Sequence, residues 1–273
     1  VRYIPSLAES MIMSSKRHAF TMKAKLGCGA DGRLTAFTID FTVDNGAYQI
    51  IGMTVVKRAL WMLSGSYNIP NVNASARLVY TNNPAGGAAR GAGPPQVTFA
   101  LESVMDMLAE KIGMDPLEFR RINSLLPGQS VSTGMVYDEW PFPELCDAIR
   151  PAYERAKKEA AAMKAGVVRR GVGIATHAFG IGGPADIGRV VVELDPDDGL
   201  TILAAVADPG EGNDSMLTQI ASHLTGIPLE KIRLVTRDTD RTTGMGPAAG
   251  SRMTYMAGGS LVHLIGDYGP LPP

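Results

Sequence analysis

One charged side chain stands inside a run of very small residues. Between Pro84 and Pro95 the chain carries four glycines, four alanines and Arg90 as its only charge. A guanidinium held there can fork onto a phosphate or a carboxylate, and a backbone stripped of side chains brings its N–H groups close to a ligand. Two further glycine-rich turns, 209–214 (PGEGND) and 244–251 (GMGPAAGS), also open helical patterns. The amides and positive dipole end of a helix start would then meet an anion. Plainer readings stand beside these: a Gly/Ala turn where two elements pack closely, and an Arg90 salt bridge that only fixes its loop.

Other chemistry is thinly represented. His18, His177, His223 and His263 share no H-x-H or H-x-x-x-H spacing, and Cys28 and Cys146 lie far apart with no C-x-x-C. Neither a zinc site nor a cysteine-held cluster can be assembled from them, and both thiols read as buried and free. There is no G-x-S-x-G elbow and no G-x-x-x-x-G-K-[ST] loop. No catalytic residue and no metal ligand is assigned.

The elements that must position these loops follow from periodicity. Phe20 to Gly27 and Leu34 to Val43 alternate on either side of Asp31-Gly32 and read as a hairpin. Asp44-Asn45-Gly46 is a turn, Met53 to Leu63 a helix, and Asn73 to Tyr80 a strand that delivers the chain into the Arg90 loop. Val97, Leu101, Val104, Met105, Leu108 and Ile112 then recur at helical spacing, with Glu102, Asp106 and Glu110 on the opposite face. Gly113 ends that helix, and Asp115-Pro116-Leu117-Glu118 caps the next. The segment 124–139 is polar and Pro/Gly-punctuated, the best linker in the chain. A helix over 142–164 follows, with Leu145, Ile149, Tyr153 and Ala156 on one face. Strands are expected at 171–179, 189–194 and 200–207, then a helix closed by Gly226, a strand at 232–236 and a last helix through Gly258-Gly259. Gly226 to Glu230 echoes Gly113 to Glu118, a hint of repeated architecture.

With 273 residues and 45% hydrophobic content the chain can bury a substantial core as two domains, expected at 1–140 and 141–273. A net charge of −1 without a long basic run argues against nucleic acid or an anionic membrane as partner. The charge-free run 59–76 is too broken to span a membrane, and no signal peptide is visible, so a cytoplasmic protein is expected. The chain starts at Val1 and ends in Gly269-Pro270-Leu271-Pro272-Pro273, which reads as a piece of something longer.

The run Arg90-Gly91-Ala92-Gly93-Pro94-Pro95-Gln96 resembles the R-G-x-G-x-P-Q motif of the molybdenum hydroxylases, the xanthine dehydrogenase and aldehyde oxidoreductase family. Lys16-Arg17-His18, Asp31-Gly32-Arg33 and Asp115 to Asn123 (DPLEFRRIN) extend the likeness over nearly the whole chain. It looks nearest to the bacterial aldehyde oxidoreductases. The resemblance implies an α+β fold of two molybdopterin-binding domains, the first lacking its start and the second its end. It implies a molybdopterin cofactor, in a dinucleotide form, carrying molybdenum. Arg90, Gly91 and Ala92, then Gly210, Glu211 and Gly212, then Ala249, Gly250 and Ser251 are the cofactor-binding residues it implies. The implied activity is oxidation of aldehydes to carboxylic acids. Iron–sulfur clusters would sit in a domain or subunit outside this chain, and a homodimer is compatible.

Two features qualify the likeness. Ala92 stands where purine-oxidising members carry a bulky aromatic, which tilts the reading away from purines. Glu211 replaces the glutamine of the family's G-Q-G, and an ionised carboxylate can only accept hydrogen bonds; burial among Ala207, Pro209 and the facing loops is expected to keep a proton on it. Ser251 is expected to cap the last helix. Neither the family's G-G-x-F-G loop nor its general-base glutamate is in the chain. The rival reading is a non-catalytic fragment or scaffold that binds no cofactor by itself.

Overall fold

The computed structural model describes residues 4–163, 167–182 and 186–268. It separates into two compact units, one ending at Phe179 and the other starting at Gly180. The 269–273 run and the expected end of the long helix at Lys164 lie outside the described residues.

In the first unit a short helix, α1 (Leu7–Met13), precedes a two-residue strand, β1 (Lys16–Arg17). The expected hairpin then forms from β2 (Phe20–Cys28) and β3 (Leu34–Gly46), antiparallel about the Asp31-Gly32 turn. Helix α2 (Gly52–Trp61) crosses over to β4 (Asn71–Tyr80), which pairs parallel to β3. A second tiny strand, β5 (Gly86–Gly87), lies inside the Arg90 loop and pairs parallel to β1. Phe37, Ile39, Phe41 and Val43 alternate into the core, where they join Val97, Leu101, Met105 and Ala109 of α3 (Pro94–Ile112). Each of the larger side chains among these contributes about 1.5–3 kcal/mol on burial. Gly113 closes α3 in the left-handed region at φ 69°, and the Asp115 carboxylate caps α4 (Pro116–Ile122) by accepting from Leu117 and Glu118, both at 3.0 Å.

Four expectations fail in this unit. Glu102 is not on a solvated face: it is buried, pairs with Arg120 at 2.8 Å, and accepts from the Tyr67 hydroxyl at 2.6 Å. Burial, with the Glu102 charge beside it, pushes the Tyr67 hydroxyl well above the usual phenol range. On α5 (Phe142–Ala162) the buried residues are Phe142, Cys146 and Tyr153, while Leu145 and Ile149 are exposed. The stretch 171–179 pairs with no strand among the described residues; Thr176 is instead pinned by its N–H and hydroxyl to Glu102 at 3.1 Å each. The 124–139 segment is also tied down, since Leu125 is fully buried and its N–H donates to Ser66 at 3.0 Å. Helix α5 and the 167–179 stretch therefore belong by contact with the first unit. Cys28 is half-buried and Cys146 buried, and both are free.

The second unit repeats the order of the first. β6 (Val191–Leu194) and β7 (Leu200–Leu203) are antiparallel, α6 (Asn213–Thr225) crosses over, and β8 (Ile232–Val235) pairs parallel to β7. A glycine loop then leads through a π-helical turn (Thr254–Gly258) into α7 (Gly259–Tyr268). Hairpin, crossover helix, parallel strand, glycine loop, helix occurs twice. The Gly113/Gly226 echo points to this repeat with the wrong register, because Gly113 ends the helix after the third strand and Gly226 ends the crossover helix. The fold is α+β, with helices and strands mixed in both units. Among the described residues no helix is long and apolar enough to cross a membrane.

Candidate cofactor-binding loops

The first loop is held from below. Arg17 Nη2 donates to the Arg90 carbonyl at 2.7 Å, and Gln96 Nε2 donates to the His18 carbonyl at 3.3 Å. The Arg90 side chain is exposed, and its guanidinium has no partner among the described residues. The salt-bridge reading of Arg90 therefore fails, and the group stays free to bind an anion.

The loop's glycines have a different task from the one expected. A Cβ on Gly86 would meet the His18 ring at 2.5 Å, one on Gly87 the Ser15 hydroxyl at 2.1 Å, one on Gly91 the Pro95 ring at 2.3 Å, and one on Gly93 the Val55 carbonyl at 2.2 Å. All four glycines serve close packing inside the protein. Pro94 and Pro95 stand at the first two positions of α3, so the helix start lacks two of the N–H groups that would have faced a ligand. In this loop the Arg90 guanidinium is a free donor, and the helix dipole has few N–H groups to act through.

In the second unit two loops meet. Glu211, Asn213, Ala249, Ser251, Arg252 and Thr254 border one cavity of about 280 Å³, so the sequence-chosen Glu211, Ala249 and Ser251 share a single site. Gly250 and Ser251 are consecutive left-handed residues at φ 65° and 56°, and the N–H groups of Gly250, Ser251 and Arg252 meet no acceptor among the described residues. Successive free amides in such a turn form an anion-binding concavity. Ser251 makes no side-chain cap to the helix, contrary to expectation, because its left-handed backbone turns it away from the Ncap geometry. A π-helical turn at a helix start often marks a functional segment.

Two residues that carry this site were not singled out from the sequence. Arg252 is 4% exposed, and its guanidinium donates to the carbonyls of Met245 (2.7 Å), Pro247 (3.2 Å) and Ile187 (3.0 Å) and to Asp186 (2.9 Å). It clamps the 244–251 loop from inside. Asp208 accepts from the N–H groups of Gly210 (2.9 Å), Gly212 (3.0 Å) and Asp214 (3.3 Å). The backbone bonds from Gly212 and Gly210 hold its carboxyl below the usual carboxylate range. The amides expected to face a ligand at 210–212 are therefore taken by the chain's own Asp208. A polar residue just before a glycine-rich turn was the available signal.

Glu211 is exposed, and its Oε1 accepts from Asn213 Nδ2 at 2.8 Å. The buried setting expected for it is not found. Around Gly210 and Gly212 an added Cβ would meet nothing within 4 Å, so this loop, unlike the first, fronts open space. Another cavity, of about 750 Å³, runs along α5 beside Leu145, Ile149 and Tyr153 and includes none of the sequence-chosen site residues. No group of three or more His, Cys, Asp or Glu is placed to hold a metal among the described residues.

Comparison with known proteins meets this geometry. A molybdopterin cofactor-binding domain model matches residues 1–124, and a second such model matches residues 148–265. The chain belongs to the molybdenum hydroxylase family. It is 36% identical over 253 residues to an aldehyde oxidoreductase of Megalodesulfovibrio gigas, covering 91% of this chain and 28% of that protein. It is 30% identical over 264 residues to a xanthine dehydrogenase molybdenum-binding subunit of Escherichia coli O157:H7, covering 94% of this chain and 35% of that one. Among solved structures, the aldehyde oxidoreductase from Desulfovibrio gigas superposes with a TM-score of 0.87 at 35% identity, over 93% of this chain and 28% of that one. The chain thus spans about a third of its relatives' length.

In each unit, taken by itself, the free donors suit an anionic group such as a phosphate of a pterin cofactor's tail. Free amides at 250–252 and the unpartnered Arg90 guanidinium are the groups that phosphate oxygens need.

Proposed function

We propose that this chain supplies the cofactor-binding loops of a molybdenum–pterin oxidoreductase that oxidises aldehydes to carboxylic acids. The observation that carries the reading is the cavity bordered by Glu211 and Ser251, beside a left-handed turn whose consecutive backbone N–H groups lie free. The cofactor, when bound, supplies the redox chemistry, and the protein supplies grip and orientation. The N–H groups of Gly250, Ser251 and Arg252 donate to phosphate oxygens of a dinucleotide form, with Ala249 leaving room for their approach. Arg90 forks onto an anionic oxygen, with Gly91 and Ala92 beside it. Glu211, already accepting from Asn213, turns its other oxygen to a donor such as an amine of the pterin. Gly210 and Gly212 keep the space in front of it clear. Ala92 removes the wall on which a purine would stack, which supports an aldehyde over a purine as substrate.

The remainder of the enzyme, with iron–sulfur clusters in a separate domain or subunit, completes the electron path, in the cytoplasm and compatibly with a homodimer. The domain division we adopt for the family's two modules is 1–140 and 141–273. The test is metal and pterin content of the purified parent enzyme, with turnover measured on an aldehyde, on xanthine and on nicotinate. Bound molybdenum and pterin with preferred aldehyde turnover is the expected outcome. Preference for either heterocycle refutes the substrate, and a parent enzyme without molybdenum refutes the cofactor. The 273-residue chain alone should turn over no aldehyde even when supplied with cofactor.

The scaffold reading is favoured by one observation, the use of all four first-loop glycines for internal packing. Titrating the chain with inorganic pyrophosphate separates the two. Saturable binding lost on Arg90→Ala supports cofactor recognition, and no binding supports a scaffold.

A further inference from the structure

Behind the Arg90 loop lies a buried polar cluster that the proposed chemistry does not use. His18, directly after β1, is 3% exposed, and its Nδ1 stands 3.1 Å from the Gly87 carbonyl oxygen. A carbonyl only accepts, so Nδ1 carries the proton of that bond and Nε2 of the neutral ring is bare. Nε2 is buried without a partner, and so is Oδ1 of the fully buried Asn45 in the turn after β3. A Cβ on Gly52 would come within 3.1 Å of Nε2 and 2.2 Å of Asn45 Oδ1. Both atoms therefore border the space Gly52 leaves open.

The imidazole is also the surface on which β5 rests. A Cβ on Gly86 would lie 2.5, 2.7 and 2.9 Å from three of its ring atoms. A ladder of two residues supplies too few bonds to hold a loop of this length by itself. Beyond the entry at Asn83, which is tied to Ala47 and Asp44, the loop is held by His18 Nδ1 on Gly87, the His18 carbonyl under Gln96, and Arg17 on the Arg90 carbonyl. Only the His18 Nδ1 bond fixes β5 from a fully packed side chain.

We propose that His18 is the positioning residue of the Arg90 loop, its Nδ1–H fixing the Gly87 carbonyl so that the Arg90 guanidinium is presented in one place. The proposal rests on the reading of that loop as cofactor-binding. His18 touches no ligand and acts through the backbone of β5.

The two ring nitrogens can be separated by substitution. His18→Asn keeps an N–H donor near the Nδ1 position, and His18→Gln moves the donor out toward Nε2. Hydrogen exchange of peptides covering 84–93 in the 273-residue chain should stay within about twofold of the parent for His18→Asn and rise about tenfold for His18→Gln, the scale of one lost hydrogen bond. Exchange in α4 should be unchanged in both. Equal behaviour of the two variants overturns the proposal. Should either variant fail to fold, ¹⁵N NMR of the unsubstituted chain decides: a protonated Nδ1 with a bare Nε2 at His18 is the expected tautomer, and the reverse tautomer overturns it. A parallel titration with inorganic pyrophosphate should weaken for His18→Gln in step with exchange. If the unsubstituted chain binds no pyrophosphate, the cofactor reading of the loop falls, while the exchange data still judge His18.

Discussion

Replacing Arg252 by alanine should release the 244–251 loop while leaving the sheet of the second unit intact. The side chain is buried and makes four polar contacts, three to carbonyls of 187, 245 and 247 and one to Asp186. Removing one partner of a buried charged contact costs about 3–5 kcal/mol. The Asp186 side chain is 31% exposed and the freed carbonyls rehydrate as the loop opens, which places the cost near the lower end, about 3 kcal/mol. At about 1.4 kcal/mol per factor of ten, that is a loss of protection on the order of 100-fold.

The assay is hydrogen exchange read by mass spectrometry on peptides covering 186–190 and 244–252, with β7 and α6 as internal references. Arg252→Lys keeps the charge but not the fork, so it reaches fewer of the four partners and should fall between parent and alanine variant. An alanine variant whose 244–252 exchange moves less than threefold refutes the clamp. A loss of protection spread equally over β7 and α6 refutes it too, since Arg252 would then hold the unit rather than the loop.

Arg90→Ala should leave the thermal midpoint nearly unchanged, because the exposed guanidinium has no partner to lose and such substitutions fall within about 0.5 kcal/mol; pyrophosphate affinity should drop about tenfold or more, and an unchanged titration would remove Arg90 from the site. Gly93→Ala meets a positive φ of 110° and the Val55 carbonyl at 2.2 Å, so calorimetry should find it destabilised by about 2–4 kcal/mol. Asp208 has its carboxyl held low by the N–H groups of Gly212 and Gly210, so its stabilisation of the α6 start is complete above the unfolded-state value of about 3.9 and is lost as pH falls through the lower folded value. Amide exchange of 210–216 followed as protection against pH should show that acid limb, and Asp208→Asn should erase it; a limb that survives in Asp208→Asn belongs to another group.

The strands and helices of both units were legible because their signals are local. Period-two burial in Phe37 to Val43, the Asp31-Gly32 turn and the Asp115-Pro116 cap need no distant partner to be read. What failed depended on contacts across the chain. Glu102 looks like one more charge on a wet helix face until Arg120, 18 residues later, and Tyr67, 35 residues earlier, are brought against it. Thr176 reads as part of a strand until its N–H is found on the same carboxylate. On α5 the apolar spacing allowed more than one buried face, and the aromatic Phe142 with Tyr153 and Cys146 took it from Leu145 and Ile149.

The glycines state the limit most clearly, since the same residue type in three similar loops does opposite work. At Gly86, Gly87, Gly91 and Gly93 the space of the missing side chain is occupied by His18, Ser15, Pro95 and the α2 backbone, so no ligand enters from the Cβ side. Gly210 and Gly212 front open space, yet their amides are spent on Asp208. At 250–252 a left-handed turn and unspent N–H groups coincide beside a cavity, and Arg252 draws the preceding carbonyls inward. The same argument explains how the two units divide the task. On the proposed reading, the first unit offers a side-chain charge on a loop packed solid from below, and the second offers backbone donors held by an internal cation. A glycine-rich motif announces that the backbone is bare; whether the bareness serves packing or binding is decided by what stands opposite each Cα. In this chain His18, Ser15, Pro95 and the α2 backbone fill the Cβ side of the first loop, while Asp208 takes the amides at 210 and 212.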